Sequence, residues 1–334
     1  MTGHPPITPE RLRAWGRHTY GSPLYARLVE VVAGDPELIR IINRIEHQPR
    51  PNMLFAAVHY LLLSGVDHPL ARFYPSLAAE PEPLRDVDPV FRDFVAGNEE
   101  EIVEIGRTRY TQTNECRRCV ALVPAMWAAP FGPFHLVELG AAAGLNLAFD
   151  HYHYRWGGIE WGPASPVELV AESRGEPPRP RAVQVLSRTG VDLRPVDPSD
   201  PDQRLWLEAL IWPEHHERRL RLAAALEVAA GVDIDLIKGD FLELLPAVLE
   251  SLPAGEPAVV VSSFVLVQLT EAQRQELEEV VAAARRHRPL HRVSFELLDK
   301  TDPAARLRVD DGSGWEELAQ AHPHGEWVEF YARP

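Results

Sequence analysis

The chain has 334 residues, 45% of them apolar and 25% charged, enough to bury a sizeable core in one large domain or two. Its net charge of −15 disfavours a nucleic-acid partner. The short arginine clusters at 218–221 and 285–288 have acids nearby, such as Glu217, and read as solvated faces. Two cysteines, Cys116 and Cys119, are too few for a disulfide framework, and no second ligand pair stands ready for zinc. They read as reduced thiols, and no metal is expected. The N-terminus shows no cationic stretch leading into an apolar run, and no segment approaches the ~18 apolar residues of a membrane span. The expectation is a soluble cytoplasmic protein with a small-molecule partner and no membrane contact.

Residues 1–130 read as helical. Thr8-Pro9-Glu10 opens a helix with a cap and a proline at its first position. Asp35-Pro36-Glu37 opens another, carrying Leu38, Ile41, Ile42 and Ile45 on one stripe. The run MLFAAVHYLLL from Met53 is apolar nearly all round, which predicts a buried helix. Its one histidine, His59, reads either as a core residue or as an acid–base group. Helices are also predicted around Phe91–Val95 and over 98–109. None of these segments alternates as a strand would.

The stretch YTQTNECRRC at 110–119 packs Gln112, Asn114, Glu115, Arg117 and Arg118 before the apolar run VALVPAMW. Such a cluster at a helix start is either capping or a device for orienting a polar substrate. On the second reading Gln112 and Asn114 bind substrate, Arg118 anchors it, and Glu115 or His59 is the base.

From 135 strands alternate with helices. In HLVELGAAAGLNLAF a short apolar strand ends in Glu138, a glycine turn runs from Gly140 to Gly144, and a helix is predicted from Leu145. Gly140 offers a conformation denied to other residues, and Gly144 permits close approach. A dinucleotide site wants G-x-G-x-x-G. Here Ala142 replaces the middle glycine and Leu145 the last, which disfavours NAD(P). The spacing E-x-G-x-A-x-G instead resembles the first motif of class I S-adenosylmethionine methyltransferases. That likeness implies a turn of Gly140, Ala142, Gly144 and Asn146 supporting the cofactor, with Ala142 departing from the usual glycine.

Beyond the turn, residues 151–182 read as an insertion, with a strand near 152–156 and an exposed loop over 172–181. Further strands are predicted at 183–187, 234–237, 259–261, 292–297 and 327–331. The helices between them are a long one over 205–230, interrupted at Trp212-Pro213, a short one over 241–249, and one opened by the capping box Thr270–Gln273. His215 and His216 are candidate acid–base groups, but adjacent helical residues point about 100° apart and cannot share one site. In a mostly parallel sheet, ligands sit at the carboxyl ends of strands, so strand ends carry the candidates. Glu138 accepts from a cofactor amine or from the turn's own amides. By the methyltransferase resemblance, Asp240 would accept from an adenine amine with Phe241 against the ring; the alternative is a helix cap. Ser262 and Ser263 face cofactor and substrate or merely end their strand. Asp192 is the candidate ribose contact, with Asp197 and Glu160 as alternatives.

Several stretches together resemble the domain of unknown function 2332 family of bacterial proteins: PNMLFAAVHYLLL (51–63), HPLARFYPS (68–76), TQTNECRR (111–118), SRTGVDLRPVD (187–197), WLEALIWPEHHERRLRLAAAL (206–226) and the glycine turn through Gly158. The resemblance covers most of the chain and implies family motifs at 111–118 and 138–146, without implying an activity. The expectation is an α/β protein: an α-helical cap domain over 1–130, then a Rossmann-like, methyltransferase-type domain over 131–334 with a mostly parallel sheet. The expected function is S-adenosylmethionine-dependent methyl transfer to a small polar molecule. The alternative is a non-enzymatic or degenerate Rossmann-like ligand-binding protein.

Overall fold

The structure is a computed structural model describing residues 5–17, 21–129, 132–298 and 302–331. Six helices come first: α1 Pro9–Gly16, α2 Pro23–Ala33, α3 Pro36–Arg44, α4 Arg50–Leu63, α5 Val87–Gly97 and α6 Glu99–Thr108. A 3-10 turn, Cys116–Arg118, runs into α7, Cys119–Trp127. Strand β1, Phe134–Leu139, is followed by a second 3-10 segment, Leu145–His151, and by β2 His153–Trp156, β3 Ile159–Trp161, β4 Glu168–Arg174 and β5 Val185–Asp192. Helices α8 Pro201–Ala209 and α9 His216–Ala230 lead to β6 Asp235–Lys238. Then come α10 Phe241–Ser251, β7 Ala258–Ser263, α11 Glu271–Arg285 and β8 Leu290–Glu296. The strands β9 Ala305–Asp310, β10 Trp315–Ala321 and β11 Trp327–Phe330 close the order.

The chain divides into two compact units, Met1–Thr113 with Pro201–Ala223, and Asn114–Asp200 with Ala224–Pro334. This differs from one cut at residue 130, which itself lies outside the described residues: α7 belongs with the sheet, and α8 with the first six helices. The reason is apolar burial. Trp206 and Ala209 of α8 are buried in one core with Leu28, Ile42, Phe55 and Phe91, and removing such side chains from water is worth roughly 1.5–3 kcal/mol each. Helix α4 buries ten of its side chains from Pro51 to Leu62, as its all-round apolarity predicts. No helix among the described residues is long and apolar enough to cross a membrane.

The second unit holds one mostly parallel sheet of 11 strands in the order β3-β2-β4-β11-β10-β9-β8-β7-β1-β5-β6. The run β8-β7-β1-β5-β6 is wholly parallel. Its centre, where the order reverses direction, lies between β1 and β7, with Leu139 beside Ser262. Helices α10 and α11 cover one face, where Leu245, Leu249, Leu277 and Val281 pack on Val137, Leu139 and Val260.

Three departures from the sequence reading matter. The segment after the glycine turn is not an α-helix but a kinked 3-10 turn, with Ala148 outside helical geometry. Side chains from elsewhere take the carbonyls a longer helix would bond. Tyr152 Oη donates to Leu145 O at 2.7 Å, Tyr154 Oη to Phe149 O at 2.7 Å, and Arg188 Nε to Leu147 O at 3.0 Å. The crossover from β1 to β5 therefore runs through β2–β4. Part of the expected loop 172–181 is strand β4, exposing Glu168, Val170 and Glu172 while burying Leu169 and Ala171. Finally, β9 and β10 extend the sheet as antiparallel strands where none was read. A register shift between Glu317 and Ala319 breaks the alternation that would mark β10.

Candidate functional site

Three residues of the β1 turn are left-handed: Gly140 (φ 71), Ala142 (φ 49) and Gly144 (φ 69). Ala142 holds this shape against the steric cost of its methyl group, roughly 1–2 kcal/mol. Hydrogen bonds fix it there. Ala142 N donates to Asp192 Oδ2 at 2.8 Å, and Ala142 O accepts from Val196 N at 3.0 Å. Gly140 N donates to Val191 O at 2.8 Å, Ala143 N to Asn114 Oδ1 at 3.1 Å and Gly144 N to Ala141 O at 2.7 Å. Ala141 N lies 3.5 Å from Val191 O. The turn's amides thus have partners within the chain, whereas a pyrophosphate would require them as donors. A Cβ on Gly140 would fall 2.7 Å from Val265 Cγ2, so the loops after β1 and β7 pack closely.

Glu138, at the end of β1, is 1% exposed. Its Oε1 accepts from Asn146 Nδ2 at 2.7 Å, and Cys119 Sγ lies 3.3 Å from Asn146 Oδ1. Its Oε2 is buried with no hydrogen-bond partner among the described residues. Burial pushes its pKa up to about 8, with Asp192 adding to the rise while Asn146 and Arg118 oppose it. At neutral pH the group is mostly a neutral acid, a donor as well as an acceptor.

Direct bonds therefore join Asn114 and Asp192 to the glycine turn, and Asn146 to Glu138 and Cys119. Asp192 also accepts from Arg194 N at 2.7 Å, so both of its oxygens cap backbone. Asp240 caps α10 through Leu242 N at 2.9 Å, and Gly239 N bonds Asp192 O at 2.9 Å, tying the ends of β5 and β6 together. Phe241 is packed in the core with Leu242 and Leu245. Ser262 and Ser263 are both buried at the end of β7, and Ser263 Oγ has no hydrogen-bond partner among the described residues.

Glu115 accepts from Arg117 N at 3.2 Å and so caps the 3-10 turn 116–118. Arg118 is buried, with Nε donating to Pro323 O at 3.1 Å and its guanidinium 4.0 Å from the centre of the Phe264 ring. Phe264 itself is left-handed (φ 58), immediately after β7.

His59 and Gln112 belong to the helical unit. His59 is fully buried, with Nδ1 3.1 Å from Ala209 O and Nε2 2.8 Å from Ser76 Oγ. Burial pushes its pKa down to about 3. With both nitrogens engaged it is a core histidine, which corrects its expected role as a base.

The sequence reading missed Phe264 and Glu296. Glu296 ends β8, and its Oε1 accepts from Val265 N and Leu266 N, each at 3.1 Å. Burial raises its pKa. The strand-end rule that selected Glu138 also selects Glu296. Phe264 carries no such signal, because a left-handed phenylalanine is rare and only tertiary bonds hold it.

These features define an α/β protein with a buried polar cluster at the carboxyl ends of its central parallel strands. The chain belongs to the family described as uncharacterized proteins conserved in bacteria (DUF2332), whose model matches residues 9–330. No curated protein matches it.

Proposed function

We propose that this chain is an S-adenosylmethionine-dependent methyltransferase with a Rossmann-like sheet, acting on a small polar molecule. The observation that carries the reading is the parallel run β8-β7-β1-β5-β6, with the glycine turn following β1, acids at the ends of β1 and β5, and Asp240 two residues past β6. The donor set fits such a cofactor. Among the described residues Glu138 keeps a buried, unpartnered oxygen, Asp240 needs only Oδ1 for its cap, and the turn's committed amides suit a ligand without a pyrophosphate. In this reading Gly140, Ala142, Gly144 and Asn146 form the cradle, Asp192 meets the ribose and Asp240 the adenine.

When bound, the cofactor supplies an electrophilic methyl group on a sulfonium. The chain's own residues supply alignment and a proton acceptor. Arg118, held over Phe264, anchors an acidic or polar substrate, Ser263 bonds it, and Glu115 takes the proton. Substrates with a poor nucleophile depend most on Glu115.

A second reading is a non-enzymatic Rossmann-like ligand-binding protein. The methyl of Ala142 and the packing of Val265 on Gly140 favour it. Calorimetric titration with S-adenosylhomocysteine separates the two. Micromolar binding that is lost in Gly144→Val and weakened in Asp240→Asn, which keeps a capping side chain, supports the methyltransferase. No heat and no thermal stabilisation at about 1 mM ligand abandons it for the second reading.

A further inference from the structure

On the α11 side of the sheet a cavity of about 330 Å³ opens beside β8 and β9, within the usual size range of small-ligand sites. Strand register decides what faces it. Arg292, Ser294 and Glu296 alternate onto one side of β8. Arg308 of β9 stands directly opposite Ser294. Glu296 is therefore the diagonal neighbour of Arg308, with about 7 Å between their Cβ atoms. Both line the cavity, together with Arg274, Glu278, Arg292 and Trp315.

The two diagonal residues are incompletely satisfied in opposite senses. Arg308 Nε is buried with no acceptor, and Glu296 Oε2 is buried with no donor, among the described residues. Burial of an unpaired polar atom is costly, more so when it carries charge. Arg292 differs, because it is neutralised by Glu278 at 2.6 Å. The guanidinium groups of Arg292 and Arg308 lie over the Trp315 ring, at 4.6 Å and 4.8 Å from its centre. Trp315 thus holds Arg308 in place without using its hydrogen-bond donors. Burial holds the Arg308 pKa below its usual value despite the neighbouring Glu317, Glu296 and Glu278, and Arg292 repels it further. An anion would relieve it. Burial raises Glu296, and a donor or cation would relieve that group in turn.

We propose that this cavity binds a small zwitterion of the amino-acid type, with its carboxylate on Arg308 and its ammonium on Glu296. A lone anion would leave Glu296 Oε2 unpaired, and a lone amine would leave Arg308 Nε unpaired. The other oxygen, Glu296 Oε1, stays on Val265 N and Leu266 N, so the ligand takes the atom the fold leaves over. No residue of the glycine turn takes part, and the site stands whether or not a nucleoside cofactor binds there.

The test is a thermal-shift screen of the full chain against the standard L-amino acids. The amino acid that raises the melting temperature most is then titrated by calorimetry, with acetate and methylamine as singly charged controls. The expected result is binding at about 1 mM or tighter, with neither control binding at the same concentration. Arg308→Met and Glu296→Gln should each weaken it about tenfold or more, as loss of a charged hydrogen bond does. Glu296→Gln keeps an oxygen for Val265 and Leu266, so it carries the test if Arg308→Met fails to fold. The proposal is overturned if no amino acid shifts the melting temperature, if acetate binds as well as the amino acid, or if the variants that fold bind unchanged. S-adenosylhomocysteine titrated into Glu296→Gln reports separately on the cofactor reading.

Discussion

Glu138→Gln should gain stability relative to the unsubstituted chain as pH rises. The carboxyl group rises from an ordinary 4.5 to about 8 because it is buried. In the unfolded chain it ionises above about 4.5, whereas in the fold it stays protonated up to about 8. Between these values folding must take up a proton, so stability falls as pH rises, by about 1.4 kcal/mol per pH unit. The group costs nothing below the lower value, roughly 3 kcal/mol at pH 7, and about 5 kcal/mol above the upper one. Glutamine keeps an oxygen for Asn146 Nδ2 and carries no proton to take up. Among the described residues the amide leaves two buried N–H donors without a partner where the acid leaves one O–H, a penalty that does not vary with pH. Urea titrations of both proteins from about pH 5 to pH 9 give the difference directly. The difference should grow in favour of the glutamine through this window and level off above about pH 8. A difference constant with pH would refute burial as the cause of the shift.

His59 gives the opposite slope. It is held neutral down to about 3 against an ordinary 6.5, so the unfolded chain binds the extra proton and stability is lost as pH falls between those values. His59→Gln should show a flatter acid limb in the same titrations, and an unchanged limb would place the cause elsewhere. Cys116 and Cys119 are both buried, and burial pushes the Cys119 thiol well up. Neither should react with a thiol reagent in the native protein, and both should react in guanidinium. Rapid native labelling would contradict the packing.

The helices of the first unit were legible because their signals are local. Caps at Thr8 and Asp35 and the apolar stripes behind them appear in the fold where the sequence puts them. Strand β7 was legible for the same reason: AVVV is a compact apolar run stopped by Ser262 and Ser263. What stayed hidden depends on distant partners. Tyr152, Tyr154 and Arg188 replace helical bonds after the glycine turn, and no window around Leu145 contains all three. The partner of Arg118, Pro323 O, lies 205 residues away in sequence. Asp192 was singled out for a ribose, while its bonds to Ala142 N and Arg194 N give it a structural duty as well.

The crossover from β1 to β5 also constrains the order of assembly. Strand β4 is made early, yet its partner on one side is β11, with Glu172 beside Trp327. A pairing across that much sequence is slow to form, because the intervening chain must close as a loop first. During synthesis β4 leaves the ribosome with that edge bare, and it stays bare until residues 327–330 have followed. Its alternating outward side chains, Glu168, Val170 and Glu172, include two acids, which discourage another nascent chain from docking there in the interval. A sheet whose middle strand detours to its far side has, in this sense, to be sewn shut by its last stitch.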